Sequence, residues 1–283
     1  LWSTDCNWIS DTAPTDHQDI YFEDAYGVGA QTIDLKGDQQ VASINIDNPT
    51  IYTFPCDTLI FNDYGVNTAI NVNDTACSGA GTHVINSNVR IEDCLDITIG
   101  TTNQSLIING VMSCDGTGEG VTKNGVGTVT YGGCCANTYT GLTTVNAGTM
   151  LLSKPNGTNA IAGNIQINGG TMQLDEANQI ANTSDLELDG GTLSTGSGAG
   201  NAETVDTLTL SSTSTIALGT GAHDLTCSDS SAIAWSGTLN ITGWTGNPFA
   251  TTEAGKSGTA GRIFFGACTG TLTATILRTI QFT

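Results

Sequence analysis

At 283 residues the chain is long enough for one large domain or two small ones, and with 36 Gly, 5 Pro and 12% charged residues it lacks the exposed helix formers of a coiled coil or helical bundle. Against 27 Asp and Glu stand 7 Lys and Arg, a formal net charge of −20 that repels phosphate backbones and anionic lipid, so nucleic acid and direct membrane insertion are excluded as partners. Acidity of this kind chiefly keeps a protein dispersed.

The first residues, Leu1-Trp2-Ser3-Thr4-Asp5, lack the basic start and apolar run of a signal peptide, and the expectation is a chain already processed. Asp5, Asp11, Asp16, Asp19, Glu23 and Asp24 crowd this end. On the strands and turns of an end segment they read as a solvated face; a β-helical lyase or hydrolase would need converging carboxylates, often with an Arg or Lys beside them. His17, His83 and His223 stand far apart with no partner at metal-ligand spacing, so no catalytic, cofactor-binding or metal residue is expected.

Beyond this segment the apolar residues alternate. Ile44-Asn45-Ile46, Ile97-Thr98-Ile99, Ile165-Gln166-Ile167, Leu186-Glu187-Leu188 and Leu208-Thr209-Leu210 each place aliphatic side chains on one face, the pattern of short half-buried strands. Gly-Gly, Asn-Gly and Asp-Gly pairs between them supply the positive φ of tight corners.

Nine cysteines without a Cys-x-x-Cys step or a Cys/His set at zinc spacing point to disulfides and an oxidising compartment outside the cytoplasm. Cys56, Cys77, Cys94, Cys114 and Cys134 follow one another at 21, 17, 20 and 20 residues, with Cys135 beside the last. On successive rungs of a solenoid, about 4.8 Å apart, such residues fall within the separation a disulfide accepts, and a rung-to-rung disulfide column is one expectation. The other, that irregular corners throw them out of register and leave some as buried thiols, stays open. An odd total leaves at least one thiol free or paired between chains, with Cys6, Cys227 and Cys268 as inter-subunit candidates.

A repeat organises the middle of the chain: Val145-Asn146-Ala147-Gly148-Thr149-Met150, Ile167-Asn168-Gly169-Gly170-Thr171-Met172 and Leu188-Asp189-Gly190-Gly191-Thr192-Leu193, at intervals of 22 and 21 residues. A period of roughly 21 with Gly corners is what one rung of a parallel β-helix needs. Divided into the chain it gives roughly 13 rungs and a rod of about 60 Å. Asp189-Gly190-Gly191-Thr192 does not continue as a calcium-binding nonapeptide, and turn chemistry accounts for it.

Gly125-Val126-Gly127-Thr128-Val129-Thr130-Tyr131 and the run Ala136-Asn137-Thr138-Tyr139-Thr140-Gly141-Leu142-Thr143-Thr144-Val145-Asn146-Ala147-Gly148-Thr149-Met150 resemble the autotransporter-associated β-strand repeat of bacterial surface proteins. Trp8, Asp11-Thr12-Ala13-Pro14 and Asp19-Ile20-Tyr21-Phe22 resemble the entry segment of such proteins, and Ile263-Phe264-Phe265-Gly266 with Ile280-Gln281-Phe282 their exit segment. The resemblance implies a right-handed parallel β-helix exported to the cell surface or beyond, and implies no catalytic residue. The chain departs from the family at Gly133-Cys134-Cys135, where a Ser-Gly step is usual, and in its other cysteines.

The expected fold is all-β: a single right-handed parallel β-helix over 1–283, with an entry or capping segment at 1–50, rungs over 51–245 and an exit or capping segment at 246–283. The expected function is that of an extracellular structural protein, not an enzyme, on or outside a bacterial cell. Its partner is itself, joined end to end into a disulfide-stabilised filament or sheath, because an uncapped solenoid end exposes unpaired N–H and C=O groups. The alternative is a monomeric adhesin passenger meeting a host or glycan surface through Trp235, Trp244 and Phe249, residues that read more simply as end caps of the core. A polysaccharide-degrading β-helix enzyme ranks behind both.

Overall fold

A computed structural model of the chain describes residues 14–22, 30–47, 50–73, 81–116, 118–197, 200–228, 230, 233–244, 261–266 and 278–282. Among these there is no helix, and the strands pair with their neighbours in parallel, stacked as a β-solenoid.

One face of the solenoid is an eleven-stranded sheet whose strands follow one another in chain order, from Gln31–Thr32 through Thr128–Tyr131, Thr149–Leu152, Thr171–Leu174 and Thr192–Ser194 to Ile280–Phe282. A twelve-stranded sheet supplies the other walls by bending at the strand Gln39–Ile46. Gln39, Gln40 and Val41 pair with Leu59, Ile60 and Phe61, while Ser43 to Ile46 pair with Ala69 to Val72, so this one strand runs around a corner and belongs to two walls. The first of those walls continues through Met112–Cys114 and the isolated pairing of Ile161 with Ile180. It then runs into the three-stranded sheet of Ala202–Val205, His223–Cys227 and Gly261–Phe265.

The alternation read in the sequence sets which side chains enter the core. In the eleven-stranded sheet Leu106, Val129, Met150, Met172, Leu193 and Ile216 form one fully buried column. A second inner column holds Ile108, Tyr131, Leu152 and Leu174. Each aliphatic side chain so removed from water contributes about 1.5–3 kcal/mol, and no rung alone has anything to bury it against. The repeat falls into register as spaced: Thr149 lies beside Thr171, and Thr171 beside Thr192. At the corner ahead of it Asn146 donates to Asn124 at 2.8 Å and Asn168 to Asn146 at 3.0 Å, a ladder of amides one rung apart.

The rung is longer and less uniform than the repeat implies. Successive rungs lie about 23 residues apart rather than 21. Tyr52 takes its partner His83 from 31 residues further on. The count of rungs accordingly falls short of 13, with eleven strands in the sheet that follows chain order. Strands of the stack also extend into both end segments, at Gln18–Phe22 and Gln31–Thr32 on one side and Gly261–Phe265 and Ile280–Phe282 on the other.

Candidate functional site

The uneven rung decides the fate of the cysteine column. Cys56 follows the strand Tyr52–Phe54 and Cys134 follows Thr128–Tyr131, so both sit where the eleven-stranded sheet turns into the next wall. The strands Gly81–Ile85 and Gln104–Ile108 separate their rungs. Cys94 and Cys114 sit at a different corner, ahead of Leu95–Ile99 and at the end of Met112–Cys114, with Cys114 in register with Ile91 rather than Cys94. Near-equal spacing along the chain thus lands on different corners, and the described members Cys56, Cys94, Cys114 and Cys134 form no single column. Cys56, Cys94, Cys114, Cys134, Cys135 and Cys227 carry free thiols, and Cys77, Cys6 and Cys268 lie outside the described residues.

Cys134 and Cys135 are brought together, their sulfurs 2.8 Å apart on an exposed turn beside the buried Lys154. Hydrogen bonding between the two thiols holds that of Cys135 above its ordinary pKa. Cys227, one of the inter-subunit candidates, differs from the exposed cysteines. It occupies the inner side of the strand His223–Cys227, buried in the core, where desolvation pushes its thiol up to about 12.

The corner beyond the eleven-stranded sheet hides a line of polar side chains, each reaching the backbone of a neighbouring rung. Asn137 accepts from the Met112 N–H at 2.9 Å and donates to the Ala160 carbonyl at 2.8 Å. Gln179 accepts from the Lys154 N–H and donates back to the Lys154 carbonyl, at 2.9 and 3.0 Å. The carboxylate of Glu203 accepts from the N–H groups of Gln179 and Ile180 at 2.6 and 3.3 Å. His223 accepts the Asn201 N–H on Nδ1 at 2.9 Å. On the eleven-stranded sheet His83 does the same for Tyr52 at 3.2 Å. These side chains take up N–H groups at and between strand ends, where the corner is irregular, and a buried unmatched group costs about 1–3 kcal/mol.

Burial shapes their protonation. Desolvation raises Glu203 to about 7 against the lowering effect of its backbone donors, and lowers His83 to about 4. It also lowers His223, partly opposed by Asp224. Both imidazoles are therefore neutral with Nδ1 accepting, and both Nε2 atoms are buried without a hydrogen-bond partner among the described residues. Lys123, fully buried, donates to the carbonyls of Asn124, Gly125 and Ala147 at 2.7, 2.8 and 3.1 Å, and desolvation lowers it to about 8. Lys154 donates to the Gly132 carbonyl at 2.7 Å, and burial lowers it too.

Among the described residues one cluster has metal-ligand atoms within 4.8 Å of one another, those of Asp34, Cys56 and Asp57. Its oxygens are already engaged: Asp34 pairs with the Lys36 ammonium at 2.6 Å, and Asp57 accepts the Gly37 N–H at 3.1 Å. Of the acidic end segment, Asp19 accepts the Ser43 hydroxyl at 2.6 Å. Asp16 is exposed, and Asp5, Asp11, Glu23 and Asp24 lie outside the described residues.

The aromatics near the far end pack inward. Trp235 and Trp244 lie against the core; the Trp235 indole donates to the Leu208 carbonyl at 3.0 Å, and Trp244 meets Phe282 with ring centroids 4.4 Å apart. Phe249 lies outside the described residues.

No motif in the sequence marks Lys123, Lys154, Gln179 or Glu203 as residues that hold the rungs together. The available signal was parity: Val121 and Lys123, or Glu203 and Val205, share the inner side of one strand. No family model, curated protein or solved structure matches the chain.

Proposed function

We propose that this chain is an extracellular structural protein of a bacterial cell, a β-solenoid whose copies join end to end into a filament or sheath. The observation that carries the reading is the open ladder of the eleven-stranded sheet. Among the described residues, the strand Ile280–Phe282 bonds Leu239–Thr242 on one side only, whereas the strands from Tyr52–Phe54 to Leu239–Thr242 each have two partners. A parallel edge of this kind accepts another parallel strand, and joining one end to the opposite end of the next copy is a heterologous contact that does not close. Each added subunit then lengthens the fibre by about 50 Å, eleven rungs at about 4.8 Å. The buried ionisable groups support a structural role: Glu203, Lys123, Lys154, His83 and His223 hold backbone groups of neighbouring rungs.

Negative-stain electron microscopy of the non-reduced protein beside a reduced sample tests this. Regular fibres are expected, and their loss on reduction would assign the subunit lock to exposed or end-segment thiols, Cys6 and Cys268 among them. Dispersed short rods in both samples would overturn the filament.

A further inference from the structure

The charges of this chain are distributed unevenly around the solenoid. The eleven strands of the chain-order sheet contain no Asp, Glu, Lys or Arg at all. Strands of the other walls carry Asp19, Arg90, Asp96, Lys123, Glu187, Asp189, Glu203, Asp224 and Arg262. In a protein of net charge −20, one whole wall is electrically blank.

That wall is also ordered. Its outward positions form a column of hydroxyls in register, Thr82, Ser105, Thr128, Thr149, Thr171, Thr192 and Thr215, with the Thr82 and Ser105 hydroxyls bonded at 2.8 Å. Beside it runs a second column that includes Val84, Ile107, Thr130 and Leu151. All are partly open to solvent. Methyls and hydroxyls thus repeat every rung, about 4.8 Å, along the length of the rod.

We propose that this wall is a lateral contact surface for a second copy of the same chain. Two molecules of charge −20 repel, and the orientation that brings their blank walls together keeps the acidic walls farthest apart. Another copy also carries the same rung spacing, so its columns interleave with these along the full length, as the facing sheets of a sandwich do. The area suffices: ten rung intervals of about 4.8 Å and strands of three to five residues give roughly 600 Å² per copy, near the ~800 Å² per partner of a standard interface. An aromatic-stacking glycan fits less well, because Tyr52, Phe54 and Tyr131 of this sheet point inward and are buried, and the exposed Phe282 lies at its last strand, already against Trp244. The contact buries a face rather than an edge and stands or falls independently of the end-to-end joint.

Sedimentation equilibrium, read with electron microscopy, tests the pairing through Thr149, on the central strand of the sheet. The full chain is expected to dimerise, more tightly as salt screens its net charge. Thr149→Glu should weaken the dimer at least about tenfold by forcing like charges together at an uncharged face. Thr144→Glu, on an outward position of the acidic wall one corner away, should leave it intact. Each variant should keep the wild-type circular dichroism. An equimolar mixture of Thr149→Glu and Thr149→Lys should pair again, which a misfolded variant cannot do. End-to-end fibres, if formed, should persist in Thr149→Glu as single rather than paired rods. A wild-type monomer at high salt, or a Thr149→Glu dimer of unchanged affinity, overturns the proposal. So does a monomer that binds an insoluble neutral polysaccharide and loses it in Thr149→Glu, a result that would give the wall to a glycan.

Discussion

Glu203 reaches back 24 residues to the preceding rung and accepts the Gln179 N–H at 2.6 Å, a carboxyl group buried in a solenoid wall whose donors among the described residues are backbone N–H groups. Its folded pKa of about 7 stands above the ordinary 4.5, so the folded chain binds more protons than the unfolded one between those values. The stability this gives is complete below about pH 4.5 and is lost as the pH rises through 7, by up to about 3 kcal/mol. Thermal melts should show the wild type losing stability from pH 5 to pH 8, and Glu203→Gln should flatten that slope and melt higher at pH 8. An unchanged slope in the variant would remove Glu203 as its source.

His83 acts with the opposite sign. Its folded pKa of about 4 lies below the ordinary 6.5, so the neutral ring's contribution is present above 6.5 and is lost as pH falls toward 4. Protonation would also turn Nδ1 from acceptor into donor against the Tyr52 N–H, setting two donors face to face. Titration followed by imidazole NMR should find His83 uncharged at pH 5.5, where exposed histidines are mostly protonated. A midpoint near 6.5 would contradict its burial.

How far the sequence foretold the structure differs between glycines and cysteines. The Gly-Thr steps ending at Thr149, Thr171 and Thr192 repeat both a spacing and a local geometry, and the three threonines stand in register. The cysteines repeated a spacing alone. Once Tyr52 and His83 take 31 residues to complete a rung, a 20-residue interval no longer returns to the same corner. The buried polar line of Asn137, Gln179, Glu203 and His223 was illegible for a different reason: each residue is fixed by an unmatched N–H on another rung, and that need exists only after stacking.

Gly170 and Gly157 separate two costs that sequence inspection merges. Both have positive φ, +64° and +81°. A Cβ on Gly170 would lie 2.6 Å from the Gly148 carbonyl oxygen of the preceding rung, whereas one on Gly157 meets nothing within 4 Å. Gly157→Ala should therefore cost only the backbone strain of roughly 1 kcal/mol, and Gly170→Ala more, because a backbone atom must also move. Urea denaturation compares them, and equal losses would mean that the rungs adjust freely.

Trp244 distinguishes a core cap from a sugar platform. Its ring packs on Phe282, itself 41% exposed, and on the core beneath. Removing the indole exposes the apolar surface of the last strands Leu239–Thr242 and Ile280–Phe282, so Trp244→Ala should lower stability by roughly 2 kcal/mol. Capping predicts a lower melting temperature and fraying of the strand Ile280–Phe282, read as faster amide exchange there, with binding to immobilised glycans unaltered. A variant that melts like the wild type but no longer binds a glycan the wild type retains would instead make Trp244 a contact residue and revive the adhesin.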